Sequence, residues 1–334
     1  MNNARACLSG WAAAMAMGLF VAWPAFAAEP ARNGTLSIVL ENDLFSSTDQ
    51  HYTNGLQASW VPDGKPTPAW ALRVAHLLPW FPEDGEVRHG YAFGQTMFTA
   101  NDISVADPPP GEPPYAGWLY GAIGMDVWTG RRSDQFTMTL GVVGPASLAE
   151  QGQKFVHKVT GSEKPRGWDT QLENEPGIIL AYQRSWRGQA VDAPGGLKLD
   201  LTPHVGGALG NVYTHANAGL TLRYGRRLPR DDSPLRIQPG APGSGFYAAG
   251  DDFGWYLFAG LDGRAVAQNI FLDGNTFRDS RSVDKKPFVG DLQLGFALTW
   301  RAVRLSYAQV LRTREYEGQP RNEDFGALTL SMPL

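Results

Sequence analysis

The chain has 334 residues, a formal net charge of −4 and one cysteine. That balance, with no basic run, excludes an electrostatic footprint for nucleic acid, and a single cysteine excludes a disulfide framework. Past the first 27 residues there is no run of about 18 apolar residues, so a membrane could be met only by a barrel or a surface helix.

Residues 1–27 read as a secretory signal. Arg5 supplies the positive start, residues 6–26 are mostly apolar, and Ala25-Phe26-Ala27 fits the small-x-small cleavage pattern. The alternative is an uncleaved anchor. Cys7 lies inside this segment, too early and in the wrong context for a lipoprotein cysteine. Cleavage would leave 28–334 as one large domain with no thiol chemistry. Losing Arg5 leaves 28 of the 29 Lys and Arg against 33 Asp and Glu, which again offers nothing to nucleic acid.

The first strand, 35–42, alternates Leu36, Ile38 and Leu40 with Thr35, Ser37 and Val39. The stretch from Glu41 to Gly55 then concentrates Glu41, Asn42, Asp43, Asp49 and Asn54, with several hydroxyls, in one loop between strands. Hard oxygen ligands at that density would suit a cation such as calcium. Further strands are predicted at 52–61, 90–99, 116–128, 134–144, 177–187, 196–206, 217–225, 254–267, 288–300, 302–312 and 325–334, on the same period of two. The last one sets Leu328, Leu330, Met332 and Leu334 against Thr329 and Ser331.

A soluble sandwich and a membrane barrel both fit such alternation. Three features favour the barrel. Lys198, Asp200 and Arg223 fall mid-strand on the minor face, as a wet or networked lumen requires. Trp60, Trp118, Trp128, Trp186, Trp255 and Trp300 stand near strand ends, as interfacial girdles do. The strands also continue to the end of the chain, so the last can close onto the first. Leu334 departs from the aromatic that often ends such barrels. The prediction is therefore an all-β, twelve-stranded antiparallel transmembrane β-barrel over 28–334, with extracellular loops and room for a short helix within 145–176. An even strand number puts both termini on the periplasmic side. Segments 41–52, 100–115 and 145–176 then lie outside. Segments 62–89 and 226–253 face the periplasm and are long for that side.

The second chemical stretch is 150–176. It holds His157 and, six residues on, Glu163. On a helix, six residues place two side chains about 120° apart, off one face; Gly161 between them can turn the chain and let both serve one site. Histidine can act as a general base and a carboxylate can orient it or hold a metal. A hydrated surface loop is the plainer alternative. His76, His89, His204 and His215 read as structural, with His204 on the lumen face, and His51 sits inside the first chemical loop. The sequence has no G-x-S-x-G elbow, H-E-x-x-H or P-loop, and no Cys/His cluster for zinc. An enzyme here would work with oxygen ligands and one histidine.

These residues resemble the outer-membrane lipid A 3′-O-deacylases, a family of calcium-dependent twelve-stranded barrels. The resemblance covers most of the chain past the signal. It is carried by Asn42-Asp43, Tyr52-Thr53 with Gly55, Gly94-Gln95, Tyr115-Ala116-Gly117-Trp118-Leu119, then His157 with Gly161-Ser162-Glu163-Lys164, Trp168 and Gln171. It implies an active site of Asn42, Asp43, Thr53, His157 and Glu163. His157 would activate a water, and Asp43, Asn42 and Glu163 would hold calcium. Glu163 and Asn42 would also orient and complete the site, and Thr53 would support it by hydrogen bonding. The implied substrate is lipid A of lipopolysaccharide in the outer leaflet, hydrolysed at its 3′ acyl ester; no obligate protein partner is evident.

Alternation places Asn42 on the lipid-facing side and Thr53 on the lumen side, a conflict that a rim bulge would resolve. The chain departs from the family in one respect. Some members place a lysine after the third strand, but 66–153 contains none here, and Lys158, Lys164 and Arg166 are the alternative phosphate contacts. Two other functions compete: an outer-membrane phospholipase using the same histidine, and a non-enzymatic pore or receptor.

Overall fold

A computed structural model describes residues 33–42, 52–229, 237 and 253–334. The signal at 1–27, Asp43 and His51 lie outside them. The strands are β1 (Gly34–Asn42), β2 (Tyr52–Pro62), β3 (Glu86–Phe98), β4 (Ala116–Thr129), β5 (Arg132–Val143), β6 (Glu175–Trp186), β7 (Val191–Ala193), β8 (Leu197–Gly210), β9 (Tyr213–Arg226), β10 (Gly254–Asn269), β11 (Phe288–Trp300), β12 (Val303–Arg312) and β13 (Glu323–Pro333). Each pairs antiparallel with its neighbours. β1 closes onto β13, and β6 pairs with β8, so twelve strands form a ring. β7 is a three-residue addition to β8 outside that ring. The helices are α1 (Ala69–Ala75), α2 (Ala149–Thr160) and α3 (Ile270–Asp273).

Period-2 alternation sorts every wall strand. On β1, Thr35, Ser37, Val39 and Glu41 are buried in the barrel while Ile38 is exposed outward. On β13, Thr329 and Ser331 are buried and pair across the closure with the inward residues of β1; Ser37 and Ser331 hydroxyls meet at 2.7 Å. The outward face of β8–β13 carries exposed Leu201, Leu220, Leu257, Leu261, Leu294 and Leu305, an apolar band suited to lipid.

The interior carries buried, paired charges. Asp291 takes paired hydrogen bonds from Arg264 and from Arg312, at 2.9 to 3.2 Å. Asp200 is held by Arg223 and Arg187, and His204 meets Asp262 at 2.9 Å. Replacing Asp291 by asparagine leaves two guanidinium groups facing each other with less compensation. We expect about 3–5 kcal/mol of lost stability, read as a lower urea midpoint in refolded protein.

Four expectations are corrected. Lys198 is not mid-lumen: it is the second residue of β8, is half exposed, and pairs with Asp192 of β7. Trp118 is not part of a girdle. It is 1% exposed and stacks on Tyr120 inside the barrel, while Trp186 and Trp300 stand exposed at the periplasmic end. Strands β3, β8 and β9 run several residues beyond their predicted limits, because a β-ladder tolerates the glycines and polar residues that ended the alternation. Finally, the 63–85 connection does not hang into the periplasm. It folds back along the outer wall, where Ala71, Ala75 and Phe81 cover Ile123, Met125, Val127 and Phe136. Thr67 there meets the buried His89 at 3.2 Å, and Trp80 gives its carbonyl to Arg184.

Candidate active site

The short helix expected in the 145–176 loop is α2 (Ala149–Thr160). It lies on the lipid-facing wall rather than over the mouth. Gly117 of β4 and Gln95 and Met97 of β3 point outward there. A Cβ on Gly117 would lie 2.0 Å from Ser147 Oγ and 2.3 Å from Ala149 Cβ, so the wall accepts the helix only with hydrogen at that position. Gln95 Nε2 donates to the Ser147 carbonyl at 2.6 Å. Behind the helix, Trp168 Nε1 donates to the buried Gln153 Oε1 at 2.7 Å, and Trp168 packs edge-on against Tyr115 at 5.2 Å. Residues 115, 117, 95 and 168 of the resemblance are thus the parts that seat one helix.

Where the helix points follows from two contacts. Ala149 rests over Gly117 of β4, and a Cβ on Gly152 would meet Gln95 Oε1 of β3 at 3.1 Å. Three residues advance a helix by about 4.5 Å, close to the ~4.8 Å between strands. The axis therefore crosses the strands, heading from β4 toward β1. His157 lies five residues, about 7.5 Å, further along that axis. At the rim the register row runs from Met97 of β3 through Asn54 of β2 and Asn42 of β1 to Gly326 of β13. Asn42 continues the outward phase of Leu36, Ile38 and Leu40, as expected.

His157 is 8% exposed. Its Nδ1 lies 2.5 Å from the Glu163 main-chain oxygen. A carbonyl only accepts, so Nδ1 carries a proton, and in the neutral ring the lone pair is then on Nε2, the form a general base needs. The turn that achieves this is the one Gly161 allows: φ is +73° there, and the Ser162 N–H donates to the His157 carbonyl at 3.1 Å. Glu163 thus reaches His157 through its backbone, while its carboxylate is exposed. Thr53 occupies a register irregularity of β2: Tyr52 pairs with Phe98 and Asn54 with Met97, leaving Thr53 as the extra residue. That is a bulge at the rim, at the position where the alternation conflict arose. Asp43, the next residue after Asn42, lies outside the described residues.

One group on the same face was not anticipated. Tyr307 and Gln309 of β12 and Asp324 of β13 are polar yet share the outward phase of Leu305 and Leu311. Tyr307 Oη donates to Gln309, and Gln309 Nε2 donates to Asp324. Gln309 pairs with Gly326, which pairs with Asn42. This polar strip therefore flanks Asn42 on the side opposite α2. The signal was polar residues in an otherwise apolar phase.

The family described as outer membrane protein LpxR matches residues 12–334. The chain belongs to the LpxR family. Among solved structures, LpxR from Salmonella typhimurium is similar over 89% of this chain and 99% of that chain, with a TM-score of 0.74 and 18% identity. The β domain of the Bordetella autotransporter BrkA is a looser likeness, at a TM-score of 0.46 and 11% identity over 91% of this chain and 100% of that chain. No curated protein matches. This LpxR-family chain is accordingly an outer-membrane protein with a twelve-stranded barrel, which gives its apolar outer wall a membrane setting.

Calcium fits the chemistry of the donors the sequence singled out. Asn42 offers a carboxamide oxygen at the rim and Glu163 an exposed carboxylate.

Proposed function

We propose that this chain hydrolyses the 3′-linked acyl ester of lipid A at the outer leaflet, with His157 as general base. Membership of the LpxR family supports an outer-membrane lipid A deacylase. The observation that carries the finer reading is the buried His157, with Nδ1 fixed on the Glu163 carbonyl, on the lipid-facing side of the wall. A base in that place meets a membrane lipid without drawing it into the lumen.

In this mechanism His157 Nε2 removes a proton from a water, whose oxygen adds to the ester carbonyl carbon. The bond from that carbon to the sugar oxygen then breaks, and His157 returns the proton to the leaving sugar hydroxyl. The products are a free carboxylic acid and the 3′-hydroxyl. The Glu163 carbonyl steadies the charged imidazole through Nδ1–H. Asp43, with Asn42 and Glu163, would hold calcium, which when bound supplies positive charge for the ester oxygen. Asn42 also positions substrate from the wall, and Thr53, on its bulge, supports it.

The test is a purified, refolded protein acting on lipid A in detergent. Chelation of calcium should remove nearly all turnover, and added calcium should restore it. An undiminished rate after chelation would strike calcium from the mechanism. Turnover of glycerophospholipid in place of lipid A would point to a phospholipase instead.

A further inference from the structure

The barrel wall is covered unequally. On β10, the outward residues from Trp255 to Ala265, exposed Leu257 and Leu261 among them, carry no covering element among the described residues. Ten residues span about 33 Å along a strand, or about 25 Å along the axis at the usual tilt, the height of an apolar band. On β3 the bare stretch is shorter. His89 is buried under the 63–85 segment, and Gln95 lies under α2, leaving Tyr91 and Phe93 open between them. Six residues span about 20 Å, or about 15 Å along the axis. A bilayer that meets the full band on β10 must therefore overlap the covers on β3 by about 10 Å.

The outer cover is built for that overlap. Leu148 caps the start of α2, and at 100° per residue Phe155 and Val159 lie about 40° apart on its surface. Leu148, Phe155 and Val159 are 55%, 69% and 65% exposed. Ala149, Gln153 and His157 form the buried face against the wall. Glu150, Lys154 and Lys158 lie on the far side of the buried face. The apolar edge is also the lower one. Gly152, on its border, sits over Gln95, deeper in the wall than the Met97 row, whereas Gln153 turns up to Trp168. The exposed Phe93 and Leu56 continue the apolar surface beneath it.

We propose that α2 is immersed in the outer leaflet, with Leu148, Phe155 and Val159 among the acyl chains and Lys154 and Lys158 at headgroup level. The narrow bare wall requires an immersed cover, and the order of the three helix faces matches the order of the layers. Combined with the proposed function, immersion sets His157 at the depth of the acyl esters, so the substrate is cleaved where it lies.

The test uses single cysteines at Phe155→Cys, Val159→Cys and Lys154→Cys in a Cys7→Ser background. Each is labelled with an environment-sensitive fluorophore, and the folded barrel is placed in phosphatidylcholine vesicles brominated in the acyl chains. Quenching at 155 and 159 should exceed that at 154 by about twofold or more, with iodide in the buffer giving the reverse order. Equal quenching at the three positions would overturn immersion. Shielding of 155 from both quenchers would put a second copy of the chain on this face and would also overturn it. These readings need no turnover, so they stand or fall apart from the deacylase reading. As a second arm, Phe155→Ser with Val159→Ser should lower deacylation in vesicles about tenfold more than in detergent; an equal loss in both would count against immersion.

Discussion

Replacing His157 by glutamine abolishes deacylation while the barrel still folds. We expect a loss of about a thousandfold or more in kcat, within the range for removing a general base. Glutamine keeps a donor that can reach the Glu163 carbonyl, so the loop geometry survives, but it has no basic nitrogen. The barrel should persist because His157 belongs to a helix laid on the wall and to no strand ladder. The comparison is kcat for wild type and variant on lipid A in detergent, with the folded fraction read from heat-modifiable electrophoretic mobility. Near wild-type kcat in the folded variant would remove His157 from the chemistry.

The second large effect comes from a residue that touches no substrate. Gly117→Val should lower activity about a hundredfold, as small misplacements of catalytic groups do, and leave the folded fraction unchanged. A Cβ at Gly117 would lie 2.0 Å from Ser147 Oγ. Ordinary contact begins near 3.4 Å, so the start of α2 must move by more than an ångström, and His157 moves with it. Gly121→Val is the control. It lies on the same outward face of β4, but a Cβ there meets only the Ala92 carbonyl, at 3.9 Å. Equal activity in the two variants would show that the seat of α2 does not govern the site.

The barrel was legible because a closed sheet writes its geometry into the chain at a period of two. Leu328, Leu330 and Met332 against Thr329 and Ser331 gave the faces of β13 and the closure onto β1. The same rule put Asn42 on the lipid side. His157 and Glu163 were legible as a pair because Gly161 stands between them, although the contact is made by the Glu163 main chain, which no side-chain pattern reveals. Other features left weaker marks. Thr53 occupies a bulge, and a bulge changes phase without changing composition. The covering role of 63–85 was missed because Ile123, Met125 and Val127 look the same to the alternation whether lipid or Ala71, Ala75 and Phe81 lies against them. Trp118 shows the same limit from the other side: its place near a strand end suited a girdle, and only the burial of its phase shows that it fills the lumen.

The paired charges of the lumen bear on the competing pore. Asp291 between Arg264 and Arg312, and Asp200 between Arg187 and Arg223, tie opposite signs across neighbouring strands instead of lining an open path. The proposed site lies on the other side of the wall, where α2, Asn42 and the Tyr307–Gln309–Asp324 strip face outward.

The most direct test is mass spectrometry of lipid A from cells expressing the chain, beside cells expressing His157→Gln at equal folded amount. The account predicts that the wild type removes the mass of the 3′ acyl substituent and that the variant leaves lipid A intact. Unaltered lipid A in wild-type cells, with purified lipid A also untouched by the folded protein in calcium, would contradict it.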